Sequence, residues 1–204
     1  MKKIILSAVL GLFASQSFAQ DTYYAHSVGA TYLIGIYQYT YEESITDPFG
    51  NTTTVSGSES AGMGYPGLTY NARLDFKLKK ELSFSITSYP TICLNVSANS
   101  RSGVSEGSSA AFEIPTGVQL NFGHHSTTRS RKSFGGYGML GYNFGAYSGI
   151  GTIHSITAQA GIKFEFKDQS LGLRLQYNLP VGGLEKGEKL MMFGGGVLYN
   201  FSMK

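Results

Sequence analysis

From residue 68 to residue 78 the chain alternates without a break. Leu68, Tyr70, Ala72, Leu74, Phe76 and Leu78 are apolar, while Thr69, Asn71, Arg73, Asp75 and Lys77 between them are polar. A period of two puts the two sets on opposite faces of an extended strand, one greasy and one wet. The pattern returns through 82–96, 112–122, 156–166 and 171–179, so that Leu171, Leu173, Leu175, Tyr177 and Leu179 oppose Gly172, Arg174, Gln176 and Asn178. Gly and Tyr blur it in three further segments, 27–41, 134–147 and 190–201. Eight strands are predicted, no helix is, and neither a long repeat nor a linker divides the chain, so one domain is expected.

Alternation does not say which face is inside. A soluble lipocalin-like barrel hides its apolar face, whereas a membrane barrel shows it to lipid. Strands of about 10 to 14 residues suit a tilted span better than the roughly 5 to 6 usual in soluble sheets. Only 14% of residues are charged, against about 25% in soluble domains. Tyr and Phe gather near strand ends, as at Tyr37, Tyr39 and Tyr41 or Phe164 and Phe166, which is where interfacial girdles lie. In lipid every backbone group must be paired, so such a sheet has to close. The fold class expected is therefore all-β, a single eight-stranded antiparallel up-and-down transmembrane β-barrel.

The ends of the chain agree with export. Lys2 and Lys3 precede the apolar run 4–13, and small residues stand at Ser17 and Ala19, the form of a cleaved signal peptide. Residues 1–19 are read as that peptide and 20–204 as the barrel. Taking Lys2 and Lys3 from the 16 basic residues leaves 14 against 13 acidic ones, which gives no case for nucleic-acid binding. The single cysteine, Cys93, excludes a disulfide framework. Connections alternate in length: 42–64 and 97–110 are long and polar and are expected to be extracellular loops, while 79–81 and 167–170 are tight and suit periplasmic turns.

The last strand carries a resemblance. Gly196, Tyr199 and Phe201, in Gly196-Val197-Leu198-Tyr199-Asn200-Phe201, look like the C-terminal assembly signal of bacterial outer-membrane β-barrels. With the leader and the eight strands, the chain resembles small outer-membrane barrels of the OmpA and OmpX transmembrane type. The resemblance implies residence in a Gram-negative outer membrane. It implies as partners the assembly machinery, membrane lipid and lipopolysaccharide, a monomeric state, and no cofactor.

Candidate chemistry lies on the wet face. Arg73, Asp75, Glu113, Lys163, Glu165 and Arg174 share its parity and are expected to form a lumenal charge network, because an eight-stranded barrel is just wide enough for side chains to fill. A three-residue turn at 79–81 sets Asp75 opposite Ser85 and Arg73 opposite Thr87; a turn at 167–170 sets Lys163 opposite Arg174. The network is read as a structural plug, with a gate in a narrow ion path as the alternative. Gly136, Gly138 and Gly141 match G-x-G-x-x-G, but no helix follows them, so no dinucleotide site is expected. His124-His125-Ser126 invites comparison with outer-membrane lipid A deacylases. No Asp or Glu lies between Glu113 and Glu165 to orient a histidine base, so solvated turn histidines are expected instead. Arg129, Arg131 and Lys132 form a basic cluster in that turn, and Cys93 is read as a small core residue. The role expected is structural, adhesive or recognition by the loops, without catalysis. The alternatives are a narrow channel and a soluble periplasmic ligand-binding barrel.

Overall fold

The computed structural model describes residues 22–95, 109–127, 130–148, 150–167, 169–185 and 187–202. The predicted leader, residues 97–108 of the second long loop and Arg129 lie outside these. The strands run β1 (Thr22–Thr46), β2 (Thr52–Lys79), β3 (Leu82–Ser88), β4 (Thr91–Asn95), β5 (Ser109–Gly123), β6 (Phe134–Tyr147), β7 (Gly151–Phe166), β8 (Gln169–Gly182) and β9 (Lys189–Ser202). Each is antiparallel to its neighbours. β3 and β4 are halves of one stave, because β2 and β5 pair with both. β1 closes on β9 from Ala25↔Ser202 to Gln38↔Lys189. Eight staves thus form a cylinder in which every strand finds two partners.

The break in the third stave, which the alternation of 82–96 did not show, falls at Tyr89 and Pro90. Proline has no N–H to give a ladder, yet the groups around it stay paired. Tyr89 N donates to Pro115 O at 2.8 Å and Tyr70 N to Pro90 O at 2.9 Å. Gly117 stands opposite Gly141 in the β5–β6 ladder. A Cβ on Gly141 would collide with the Thr116 carbonyl, so these strands approach as closely as they do only because both positions are glycine.

The faces are inside out relative to a soluble protein. Outward stand Leu68, Ile86, Ile92, Leu120, Leu140, Ile156, Leu173, Leu175, Leu179 and Val197, all exposed. Inward stand Thr69, Asn71, Ser85, Gln119, Asn121, Asn143, Thr157, Gln176 and Asn178, all buried. A lipocalin-like barrel requires the reverse, so the soluble periplasmic alternative fails. A closed sheet with an apolar exterior and a polar, filled interior is a transmembrane β-barrel of the outer-membrane type, and the outer membrane is where the chain resides.

Two expectations need correction. The segment 42–64 is no loop: β1 and β2 stay paired rung by rung to Thr46↔Thr52, turning at 47–51. Beyond Gln38, β9 no longer accompanies β1. Residues 39–46 therefore project as one side of a two-stranded ribbon about 25 Å long, at about 3.3 Å per residue. Alternation vanishes there because both faces are wet. The turn after β7 is shorter than expected: Phe166 pairs with Gln169, and Lys167 takes φ +48°, as two-residue hairpin turns demand. Lys163 therefore faces Gly172, and Arg174 faces Gly161, rather than each other.

Candidate functional site

The lumen holds three layers. Nearest the ends of β1 and β9 with the short turns, Asp75 accepts from Arg73 Nε at 2.8 Å, from Ser85 Oγ and, at 3.5 Å, from Asn121 Nδ2. Lys163 Nζ donates to Asn121 Oδ1 at 2.9 Å. At mid-height Tyr89 enters from the break in the third stave and stacks on Tyr137 with centroids 6.5 Å apart. Arg174 lies over the Tyr89 ring and donates to Thr69 at 3.3 Å and to Thr31 at 3.0 Å. Toward the ribbon, Glu113 accepts from Tyr147 Oη, from Gln176 Nε2 at 2.9 Å and from Asn178 Nδ2 at 3.0 Å. An apolar cluster of Leu33, Tyr65, Cys93, Ile153, Leu190 and Met192 packs there. Neutral donors hold Glu113, which makes no ion pair among the described residues.

Five of the six charges in the expected network, Arg73, Asp75, Glu113, Lys163 and Arg174, are buried in the lumen. Glu165 is not. It has the inward parity but stands one step past the barrel wall, exposed, its backbone N–H donating to Ser133 O at 2.9 Å.

The connection 124–133 was expected to be a solvated turn, and here the structure differs most. Gly123, at φ +68°, bends the chain back across the barrel mouth. Arg73 Nη2 donates to His125 O at 2.8 Å, Tyr23 Oη to Ser126 O, and Thr127 Oγ1 to Lys80 O at 2.5 Å. His124 is buried, with Nδ1 2.7 Å from Lys132 O and Nε2 3.0 Å from Ser170 Oγ. Contacts from β1, β2 and β8 and from a neighbouring turn thus pin residues 124–127 and 130–133 over that end of the lumen. Ser126 donates to Gly123 O at 2.6 Å and His124 is bonded elsewhere, so the two do not form a nucleophile and its base. Arg131 and Lys132 remain exposed at the rim, where Lys132 lies 3.8 Å from Glu81.

His125 is half-buried under this cover, and its ring is pushed down to about 4, by burial first and then by His124, Lys163 and Arg73. An unfolded histidine titrates near 6.5. Between those values the released segment binds a proton that the seated one refuses, so seating is fully favoured above pH 6.5 and weakens as pH falls toward 4. Limited proteolysis of 124–133 in the detergent-solubilised barrel should be faster at pH 4.5 than at pH 7.5, and His125→Gln should remove the difference. Equal rates in the wild-type chain would contradict it.

At the opposite end the ribbon is stiffened locally. Asp47 Oδ1 accepts from Phe49 N at 2.9 Å and Asn51 N at 2.8 Å, and Oδ2 from Asn51 Nδ2 at 2.9 Å. Asn51 thereby holds the Asp47 carboxyl below its usual range. The turn presents Phe49, 90% exposed. Down the ribbon Tyr37, Tyr39 and Tyr41 form a row with centroids 5.8 and 6.5 Å apart. Tyr37 donates to Glu188, lowering that carboxyl, and Tyr39 to Glu59 at 2.6 Å.

On the outer wall two pairs escaped the sequence reading: His26 with Tyr70, and Tyr142 Oη with His154 Nδ1 at 2.6 Å. Cross-strand register alone brings each together, one near either end of the apolar belt. Tyr199 and Phe201, expected to belong to an assembly signal, face outward, exposed, with Gly196 between the β1 and β8 neighbours Thr31 and Arg174. Gly136, Gly138 and Gly141 lie within β6, and no phosphate-binding turn exists there. Cys93 is buried in the apolar cluster.

No family model matches the chain, and no curated protein does. Among solved structures it is similar to Ail, the attachment invasion locus protein of Yersinia pestis, at 12% identity and a TM-score of 0.44, covering 89% of this chain and 99% of that one. It is similar to the outer membrane enzyme PagL at 13% identity and 0.42, over 88% and 99% of the two chains. Neisserial surface protein A is similar at 16% identity and 0.38, over 85% and 99%.

Proposed function

We propose that this chain is a monomeric surface-recognition or adhesive protein whose contact element is the ribbon of β1 and β2, with the barrel as its anchor. The observation that carries the proposal is Phe49, an almost fully exposed aromatic at the tip of a hairpin whose turn the Asp47 carboxylate braces. Large aromatics displayed on a rigid support are the residues that dominate binding at interfaces, and projecting segments on a stiff scaffold are where recognition resides. The ribbon faces the cell exterior, the short turns face the periplasm, and Gly196, Tyr199 and Phe201 are what the assembly machinery reads.

The filled lumen, with 124–133 across one end and an apolar cluster toward the other, supports an anchor over a channel. His124 and Ser126, each bonded elsewhere, support a role without catalysis.

The test uses intact cells. Added proteinase K should cut within 42–57, and cells carrying the protein should attach to surfaces or to one another more than cells without it. Phe49→Asp should lower that attachment at least about twofold while leaving the amount of barrel unchanged, as expected for loss of one anchoring aromatic. A ribbon protected from protease would reverse the orientation. Attachment indifferent to Phe49→Asp would remove the tip from the reading.

A further inference from the structure

Both faces of the ribbon meet water, yet they are unlike. The face that continues the lumenal side carries Tyr39, Tyr41, Glu43 and Ile45 on β1, set against Glu59, Gly57, Val55 and Thr53 on β2. Tyr41, Ile45 and Val55 are 39%, 53% and 46% exposed. The Tyr41 ring lies over Gly57, where a Cβ would stand 2.7 Å from it, so one side of the ring is seated and the other is open. The opposite face holds hydroxyls, from Thr40↔Ser58 to Thr46↔Thr52, with Glu42 its one charge. Aromatic and aliphatic side chains held in water along one face only mark that face as the one built for contact.

Charge says what kind of partner it meets. No Lys, Arg or His stands between His26 and Arg73, while Glu42, Glu43, Asp47 and Glu59 do. The ribbon is thus acidic with no base of its own. A second copy of the chain, or an anionic surface, would bring like charge to this face and be repelled. A polypeptide rich in arginine or lysine brings the complement. Its cationic groups stack on open tyrosine rings and pair with the carboxylates beside them, while their stems cover Ile45 and Val55. The Tyr39 and Tyr41 centroids are 6.5 Å apart, which matches the roughly 6.6 Å between alternate side chains of an extended chain. A cation at every second residue of such a chain therefore meets one ring each.

We propose that the tyrosine-bearing face of the ribbon docks an extended, cationic segment of another polypeptide. This rests on the reading of the ribbon as the contact element and adds the chemistry of what it contacts.

The experiment holds the full barrel in non-ionic detergent micelles and follows the fluorescence anisotropy of two dye-labelled short peptides. One alternates arginine with serine, the other glutamate with serine. The arginine peptide should bind and the glutamate peptide should not. Binding should weaken several-fold from about 0.1 to 1 M salt, as the Debye length falls from about 10 to 3 Å. Glu43→Lys should weaken it about tenfold, because an attraction at contact becomes a repulsion. Glu42→Lys makes the same change in net charge on the hydroxyl face and should weaken it less than about threefold. Tyr41→Ser should cost about threefold. All three residues lie beyond the last rung with β9, at Gln38, so the SDS resistance of the barrel should be unchanged. Equal losses in Glu43→Lys and Glu42→Lys, binding indifferent to Tyr41→Ser, or no binding of the arginine peptide would each overturn the proposal. If attachment of cells depends on Phe49 while the barrel ignores the arginine peptide, the cationic partner falls and the recognition reading stands. If the peptide binds while attachment is indifferent to Phe49, the tip falls and this face stands.

Discussion

Replacing Asp75 by Asn is expected to cost the barrel about 3 to 5 kcal/mol, the range found when one partner is removed from a buried ion pair. Asp75 is wholly buried and takes the Arg73 Nε–H at 2.8 Å. The substitution keeps the volume and the Ser85 neighbour, so what is lost is the charge. Arg73 is then a buried cation without a counter-charge, left to neutral acceptors such as Asn121 Oδ1 at 3.0 Å and the His125 carbonyl at 2.8 Å, with Lys163 Nζ on the same asparagine oxygen. The urea midpoint of the refolded protein should fall accordingly. Because Arg73 also grips the His125 carbonyl, protease should nick 124–133 faster in the variant. Removing both charges, as Arg73→Met with Asp75→Asn, should recover part of the loss, since no unpaired charge then remains. A single variant within about 0.5 kcal/mol of wild type, the range of neutral surface changes, would mean the pair contributes nothing.

That pair also shows how far the chain could be read unaided. The alternation of 68–78 placed Arg73 and Asp75 on the wet face, and the tight turn before β3 set them opposite Thr87 and Ser85, which is the register observed. Where lipid makes one face apolar, parity is written in every second residue. The ribbon lacked that signal, because beyond the membrane neither face needs to be apolar, and its Ser, Thr and Gly read as a loop. The turn after β7 was misjudged because Lys167 takes the left-handed conformation without the glycine or asparagine that usually marks it. Nothing local announces that 124–133 covers the lumen: its anchors Tyr23, Arg73, Lys80 and Ser170 come from elsewhere in the chain. Glu165 failed for a related reason, since parity tells which way a side chain points but not where the wall ends.

The direction of the barrel's faces has its sharpest test on β8. Leu175 is 71% exposed in the middle of that strand, and Val181 stands outward near its end. If the outer wall meets lipid, Leu175→Arg puts a charge at mid-membrane and should cost about 2 to 4 kcal/mol, while Val181→Arg, at the interface, should cost about 0 to 1 kcal/mol. In water both sites would be ordinary surface positions, and either change would fall within about 0.5 kcal/mol. Urea unfolding from lipid vesicles measures both, with Leu175→Phe as an apolar control expected to match the wild-type chain. A depth-dependent cost follows only from a bilayer against the wall. Equal, near-zero costs at Leu175 and Val181 would instead place this surface in water and undo the anchor on which the ribbon depends.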